Sequence, residues 1–442
     1  MPARALQLEK IAAAEDLEHV IPVVFSWNYI PRLPPFLVAQ DWSFDNPIAH
    51  CSTSDPFSGN CFPIDAKAAG FPYHTGLTCL QHNRHWKAAL DYASELCELV
   101  AADKSYNSAK LSRGGNLATI AKRELKAPLG ERFVTFAINL FPKADEERMK
   151  LIAVGILFVV MFDGMSFFSL LPRDSTSWLV AQLYTCMWPA DRRPINSSDS
   201  WEEAPGEDLK NVQDDFVARM RGEKKSSETE GPATSTTTTP LQARIDEIVA
   251  LCRACDERTG TDAGHDFIER MLEWVMHSQP EPGQGFASPR EYLDYRWMDA
   301  ADWWLAAACK LSIASPISLV DPVTAKLLRL AGDHISIVND LGSFDKERAA
   351  FESGRTVVFI NLVQVLRTSC GLSVDDAKAA AFVLQLLNEQ EMLAECEHLK
   401  TDDRMTDEHW RFVDVLLLLC AGNTFYTMTT SRYGGEAARI KK

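Results

Sequence analysis

Three oxygen-bearing side chains set at equal steps are the strongest chemical signal in the sequence. In HISIVNDLGSFDKE, Asn339, Ser343 and Glu347 recur at every fourth residue. On a helix that spacing lines all three along one face. Two neutral oxygens and one carboxylate form a hard donor set. Mg²⁺ takes few protein ligands and completes its octahedron with water and phosphate oxygens. The competing reading is an ordinary polar helix face that starts directly after the apolar run 335–338. Upstream, SPREYLDYRWMDAADWW sets Tyr292, Arg296 and Ala300 on one helical face, with Asp299 beside them. An Arg that faces a core is normally paired, so a salt bridge between Arg296 and Asp299 is the plain alternative to a ligand-binding role. Near the C-terminus, GNTFYTMTTSRY closes on Arg432 and Tyr433. A planar guanidinium fork binds two phosphate oxygens at once, although a cation at a helix end also suits the helix dipole.

Taken in order, these segments resemble the class I terpene synthases, and among them the fungal sesquiterpene cyclases. The second metal motif of that family, (N/D)D-x-x-(S/T)-x-x-(K/R)-E, is matched at every position by NDLGSFDKE. The resemblance implies that Asn339, Ser343 and Glu347 bind Mg²⁺, with three ions present once substrate is bound. It implies that Lys346, Arg432 and Tyr433 reach the diphosphate of an isoprenyl diphosphate. Arg296 then senses that diphosphate, Asp299 acts as the linker, and Ala300 holds the place of the helix-break effector, which is usually Gly.

The first metal motif departs from the family. In GILFVVMFDGMSFF only Asp163 is acidic; Gly164 and Phe167 stand where further acids are expected. A lone carboxylate in an apolar helix needs a partner. A cation cluster at a cavity mouth supplies one, and capping or a distant Arg is the alternative. The reaction implied is ionisation of farnesyl diphosphate, cyclisation of the cation and release of diphosphate. The reduced Asp motif resembles a divergent subgroup of humulene synthases, which implies a macrocyclic product such as humulene. Two rivals stand beside this reading. A chain-elongating prenyltransferase needs two Asp-rich motifs, and neither is present in full. A non-catalytic isoprenoid-binding or scaffold protein would have lost its first metal site.

The elements that must carry these residues read as all-α. Apolar residues recur at three- and four-residue steps from about His85, the period of a helix with one buried face. Helices are expected over 146–168, 178–187, 241–277, 289–313, 322–341, 356–368, 374–397 and 407–430. Residues 1–80, rich in Pro, Phe and Trp, read as an irregular arm packed on the helical domain 81–440. Residues 196–240 are polar, end in GPATSTTTTP and read as a mobile low-complexity insertion, a linker between two domains being the alternative. Phe158, Phe162, Phe425 and Tyr426 are candidates to face a carbocation, or simply to pack.

Bulk properties narrow the partners. The 442 residues carry a formal charge of −16 with 46% hydrophobic residues, enough for a large core, and a charge that repels nucleic acid and anionic membranes. A polyanionic substrate therefore needs local cations or metals. The apolar runs 151–162 and 413–421 fall short of the roughly 20 residues that span a bilayer. The N-terminus lacks the apolar region of a signal peptide, and 11 cysteines at irregular spacing point to reduced thiols in the cytoplasm. Cys252 and Cys255 form a lone CxxC with no second pair. The oligomeric state is not legible, and a homodimer stays open.

Overall fold

Local capping chemistry marks where many of the helices begin. The computed structural model describes residues 13–23, 25–30, 44–109, 116–166, 207–223, 238–277, 285–354 and 359–440; the side chains at 17, 163–166, 207–209 and 436 lie outside the description. The helices are α1 (Trp86–Ala102), α2 (Lys104–Ser108), α3 (Leu117–Lys126), α4 (Val134–Leu140), α5 (Glu146–Ser166), α6 (Glu207–Arg221), α7 (Pro240–Thr259), α8 (Ala263–Met276), α9 (Pro289–Asp299), α10 (Asp302–Ser312), α11 (Ala325–Glu352), α12 (Leu362–Cys370), α13 (Val374–Leu399), α14 (Asp407–Thr429) and α15 (Ser431–Gly434). Among the described residues the only paired strands are β1 (Cys61–Pro63) and β2 (Gln81–Asn83), antiparallel with Phe62 opposite His82. Ser288 caps α9 by accepting from Glu291 N, with Pro289 at the first helical position. Asn361 caps α12, and Thr406 and His409 form a capping box on α14. Each cap satisfies backbone N–H groups that have no partner within the helix.

The all-α expectation holds, with two of the expected helices each divided in two. The span 241–277 breaks at Gly260, whose φ of 68° is left-handed, a conformation that costs glycine little. The span 289–313 breaks at Ala300 and Ala301, and there the left-handed residue is Ala301, at φ 62°. Residue propensity does not mark that break, because alanine is the best of helix formers; only the resemblance, which gives Ala300 the place of a helix-break effector, implies one there. Helix α11 begins close to where it is expected but runs on to Glu352. Asn339, Ser343 and Glu347 therefore lie well inside one continuous helix.

Within 196–240, read from composition as a mobile insertion, the structure places helix α6, which corrects that reading for Glu207–Arg221. Val212, Phe216 and Met220 are buried at four-residue steps, and Phe216 packs against Phe158 and Phe162 of α5 with ring centroids 4.9 and 4.5 Å apart. Three apolar residues on one stripe suffice to dock a helix, and a count of polar residues over the whole segment hides them. The low-complexity run GPATSTTTTP falls mostly outside the described residues.

Helix α11 lies at the centre, packed along α13 and α14 and crossed by α9 and α12, while α4, α5, α8 and α10 close the other side. The described residues between 13 and 80 bond into this helical packing. Thr75 Oγ1 and Gly76 N donate to Glu389 of α13, each at 2.7 Å, and Asp55 pairs with Lys143 at 2.5 Å. Helix α14 is long and apolar enough to cross a membrane by composition, yet all of that window is buried inside the fold. The described cysteines are free thiols, and Cys252 and Cys255 are buried in α7. Burial raises both thiols above their ordinary range, Cys255 to about 11, which disfavours the thiolate that redox and metal chemistry require. Helix α14 approaches α4 at Gly422, where an added Cβ would lie 2.1 Å from the Asn139 carbonyl oxygen. Backbone cannot yield to such a contact, so Gly422→Ala is expected to lower the unfolding free energy by about 1–3 kcal/mol in urea titrations. Gly59→Ala, with nothing within 4 Å, serves as the neutral control.

Candidate active site

The helix ends and faces described above enclose a cavity of about 290 Å³. Its polar lining is Arg296, Asp299, Asn339, Lys346, Glu347, Asn423, Arg432 and Tyr433, several of them bonded to one another. The apolar and aromatic lining includes Phe133 just before α4, Phe136 of α4, Ile156, Val159 and Val160 of α5, Trp274 of α8, Trp304 of α10 and Tyr426 of α14. The three sequence segments singled out for their chemistry thus each contribute to one cavity, although the last of them lies some ninety residues beyond the second.

On α11, Asn339 and Glu347 face the cavity. Ser343 lies between them, 1% exposed, and its hydroxyl finds no hydrogen-bond partner among the described residues. A buried orphan hydroxyl costs free energy unless something else binds it. Among the described residues no three His, Cys, Asp or Glu side chains come together as a metal site. A hard-oxygen face with one carboxylate nevertheless fits a cation that keeps most of its ligands as water and phosphate. Glu347 is held in place by Asn361 Nδ2, which donates to its Oε2 at 3.0 Å. The residues present therefore fit the metal that the motif implies.

Arg296 is placed beside this face by a buried carboxylate that sequence reading quoted but gave no role, Asp340. Arg296 Nη2 and Nε donate to Asp340 Oδ1 at 3.0 and 3.3 Å, and Nη2 also reaches Asn339 Oδ1 at 3.2 Å. The other Asp340 oxygen accepts from Tyr292 OH at 2.5 Å and from Leu362 N at 2.8 Å. Burial pushes the Asp340 carboxyl up to about 6, opposed by the Arg296 charge. Burial likewise opposes the Arg296 charge, but Asp340 and the groups around it outweigh that and raise its pKa well above the usual value. The guanidinium stays charged.

The salt bridge between Arg296 and Asp299 also forms, so the plain alternative and the cavity position hold together. Asp299 further accepts from Tyr295 OH at 2.8 Å, and its backbone carbonyl accepts from Trp274 Nε1 at 3.1 Å. Burial alone would raise the Asp299 carboxyl; Arg296, His277 and Tyr295 hold it well below the usual range. Directly after it, Ala300 and Ala301 line the cavity at the break between α9 and α10. The strained φ falls on Ala301, one residue later than the position aligned with the effector. A non-glycine residue in that region is uncommon and clusters at functional sites.

From the C-terminal side, Tyr433 OH accepts from Asn339 Nδ2 at 3.0 Å. The Lys346 ammonium sits 5.3 Å from the Tyr433 ring centroid, and the Arg432 guanidinium stacks 3.5 Å above the Phe133 ring. Of the four aromatic candidates, only Tyr426 lines the cavity. Phe158 and Phe162 face α6, and Phe425 packs edge-on against Phe71 at 5.5 Å. Helix α5 instead turns Ile156, Val159 and Val160 inward. Phe133, Phe136 and Trp274 were missed because they sit apart from the motifs in sequence; Trp304 closes the quoted segment SPREYLDYRWMDAADWW but beyond the break after α9. Asp163 lies on α5 by its backbone, and its side chain is outside the described residues.

Removing one partner of a buried charge pair strands the other. Asp340→Ala is therefore expected to cost roughly 3–5 kcal/mol by denaturant unfolding, whereas Asp294→Ala, whose bridges to Arg290 and Arg329 are surface-exposed, should cost no more than about 1 kcal/mol.

Comparison with known proteins bears directly on this arrangement. A family model described as terpene synthase family 2, C-terminal metal binding, matches residues 200–390, a span that contains Arg296 and the oxygen-bearing face of α11. Terpene cyclase 6 of Gibberella fujikuroi is 22% identical over 84% of this chain and 84% of its own length. (+)-Aristolochene synthase of Penicillium expansum is 26% identical over 32% of this chain and 44% of its own, and conidiogenone synthase of Penicillium rubens is 29% identical over 34% and 20%. The crystal structure of aristolochene synthase from Penicillium roqueforti shares the fold, with a TM-score of 0.51 at 14% identity, covering 77% of this chain and 95% of that one. A terpene synthase family model described as metal-binding lies over the α11 face, a terpene cyclase is matched along most of both chains and the helical fold is shared, so the chain is similar to the terpene synthases in sequence, in the place of its metal-binding segment and in fold.

Proposed function

We propose that the enzyme is a Mg²⁺-dependent sesquiterpene cyclase that ionises farnesyl diphosphate, cyclises the cation and releases diphosphate. The observation that carries this reading is a single cavity lined both by a bonded cluster of polar side chains and by apolar and aromatic ones, the first suited to a diphosphate and the second to a hydrocarbon. Asn339, Ser343 and Glu347 would hold Mg²⁺, with Asp163 as the surviving ligand of the first motif. When bound, Mg²⁺ neutralises charge on the leaving diphosphate and so lowers the barrier to C–O cleavage.

The remaining roles belong to the chain. Arg296, fixed by Asp340 and Asp299, presents its fork without reorganising, which is what makes electrostatic stabilisation effective. Lys346, Arg432 and Tyr433 complete the diphosphate cradle. Asp299 links Arg296 to the break at Ala300 and Ala301, so a movement of the guanidinium on diphosphate binding is transmitted to the cavity wall. Phe133, Phe136, Trp274, Trp304 and Tyr426 exclude the water that would quench an allyl cation, and their faces stabilise migrating charge by about 0.5–2 kcal/mol per contact.

The fifteen-carbon substrate is supported by the likeness to the aristolochene synthase of Penicillium expansum and by a cavity of about 290 Å³, at the small end of the range of about 300–1,000 Å³ for ligand sites. A twenty-carbon substrate has one observation in its favour, a relative named cyclopiane-type diterpene synthase, 27% identical over 34% of this chain. The product proposed from the divergent Asp163 segment is a macrocycle such as humulene.

Purified protein incubated with farnesyl diphosphate and Mg²⁺ is expected to release diphosphate and a volatile hydrocarbon, with both abolished by EDTA. Turnover confined to geranylgeranyl diphosphate would move the assignment to diterpenes. Longer diphosphates formed with added isopentenyl diphosphate would indicate a prenyltransferase. Ligand binding without diphosphate release would indicate a non-catalytic protein. Arg296→Met and Glu347→Gln are each expected to lower kcat/KM by about a hundredfold or more. Asp163→Ala should abolish product, and unchanged turnover would remove Asp163 from the metal set while leaving the cyclase in place.

A further inference from the structure

Helix α14 ends at Thr429, and its last carbonyls have no donor within the helix. Two of them are capped from the opposite end of the chain. The Trp27 backbone N–H donates to Met428 O at 3.0 Å, and the Trp27 indole Nε1–H donates to Thr427 O at 2.7 Å. The strap continues on both sides of that residue: Ile440 N donates to Ser26 O at 2.8 Å, and Trp27 bridges Arg439 in antiparallel fashion.

Helix α15, which carries Arg432 and Tyr433, follows immediately. At four residues it cannot hold its own conformation, since a single turn is unfavourable without outside contacts. Beside the contacts its side chains make with Asn339, Lys346 and Phe133, two others brace its first and last residues. Glu131 accepts from the Ser431 N–H at 2.9 Å and from its hydroxyl at 2.5 Å. The Trp27 ring, 6% exposed, lies directly on the backbone of Gly434, where an added Cβ would meet it at 2.4 Å. The side chains of Arg432 and Tyr433 line the cavity. Where α14 stops, and how the following turn is braced, therefore decides where this pair stands.

We propose that Trp27 is a positioning residue of the cyclase reaction: by capping α14 and bracing α15 it sets Arg432 and Tyr433 against the substrate diphosphate. The inference rests on reading Arg432 and Tyr433 as diphosphate donors. It assigns a function to the N-terminal segment that neither the metal motif nor the cavity lining reveals. It also separates Trp27 from core tryptophans such as Trp304, whose loss would act on the apolar lining of the cavity.

The test is calorimetric binding of inorganic diphosphate with Mg²⁺ to the full chain, alongside steady-state kinetics and thermal unfolding. Trp27→Phe keeps an aromatic ring and the backbone donor, and loses the indole N–H together with part of the ring surface packed on Gly434. It is expected to weaken diphosphate binding about threefold to tenfold, the worth of one hydrogen bond. It should raise KM in step and leave kcat within a factor of about two, the pattern of lost uniform binding. Trp27→Ala should do more, and Arg432→Met combined with Trp27→Phe should be less than additive, because both act through one contact. Trp27→Phe that lowers thermal stability but leaves diphosphate affinity unchanged, or effects that add fully with Arg432→Met, would overturn the inference alone. Arg432→Met with unaltered diphosphate affinity would instead remove the reading of the Arg432 and Tyr433 pair, and the inference with it.

Discussion

The buried contact between Arg296 and Asp340 is the constraint on which the polar lining of the cavity depends. Asp340 is 0% exposed and joins three helices at one point: Arg296 and Tyr292 from α9, its own α11, and the first N–H of α12 through Leu362. Taking two charges out of water costs several kcal/mol per ion, and only good geometry with every lone pair satisfied offsets it. That demand fixes the crossing of α9 on α11 more tightly than apolar packing would. It also brings the guanidinium to 3.2 Å from Asn339. Asn361 extends the same logic, donating to the Asp340 carbonyl and to Glu347 at 2.9 and 3.0 Å.

A cavity organised in this way carries two chemistries in one lining. Its polar groups are held by one another before any ligand arrives, which suits an anionic head that must be neutralised as it departs. Its aromatic and aliphatic walls offer few hydrogen-bonding groups, as a cation that must not meet water requires. The orphan hydroxyl of Ser343 and the left-handed Ala301 are two of the places where local rules are broken. Ala301 lines the cavity and Ser343 lies between Asn339 and Glu347, which do, so strain and unmet bonding stand beside the candidate site.

What could be read from sequence followed from periodicity. Asn339, Ser343 and Glu347 stand four residues apart on a helix that proved continuous, so their shared face needed no tertiary information. Arg296, Lys346, Arg432 and Tyr433 were legible through the order of their motifs, and all four line one cavity. The rest was hidden for identifiable reasons. Asp340 sits one residue out of step with the metal face and looks redundant until α9 and α12 close on it. The break at Ala300 and Ala301 runs against propensity and is imposed by packing. Phe158 and Phe162 lie close to Asp163 in sequence but are turned away from the cavity by the helical twist, towards an α6 that composition had concealed. Trp27 caps a helix 400 residues away, a relation that no local pattern encodes.

The central claim is that the oxygen face of α11 holds a divalent cation together with diphosphate. Its most direct test is a titration of Mn²⁺, in place of Mg²⁺, followed by the loss of the free-ion paramagnetic resonance signal in the presence of inorganic diphosphate. Wild-type protein should bind the ion, and Ser343→Ala should weaken that binding by about tenfold or more. Asp345→Ala, on the neighbouring exposed face and paired with Lys378, should leave it unchanged. Equal affinity in the wild type and Ser343→Ala, or a loss in Asp345→Ala alone, would contradict the claim.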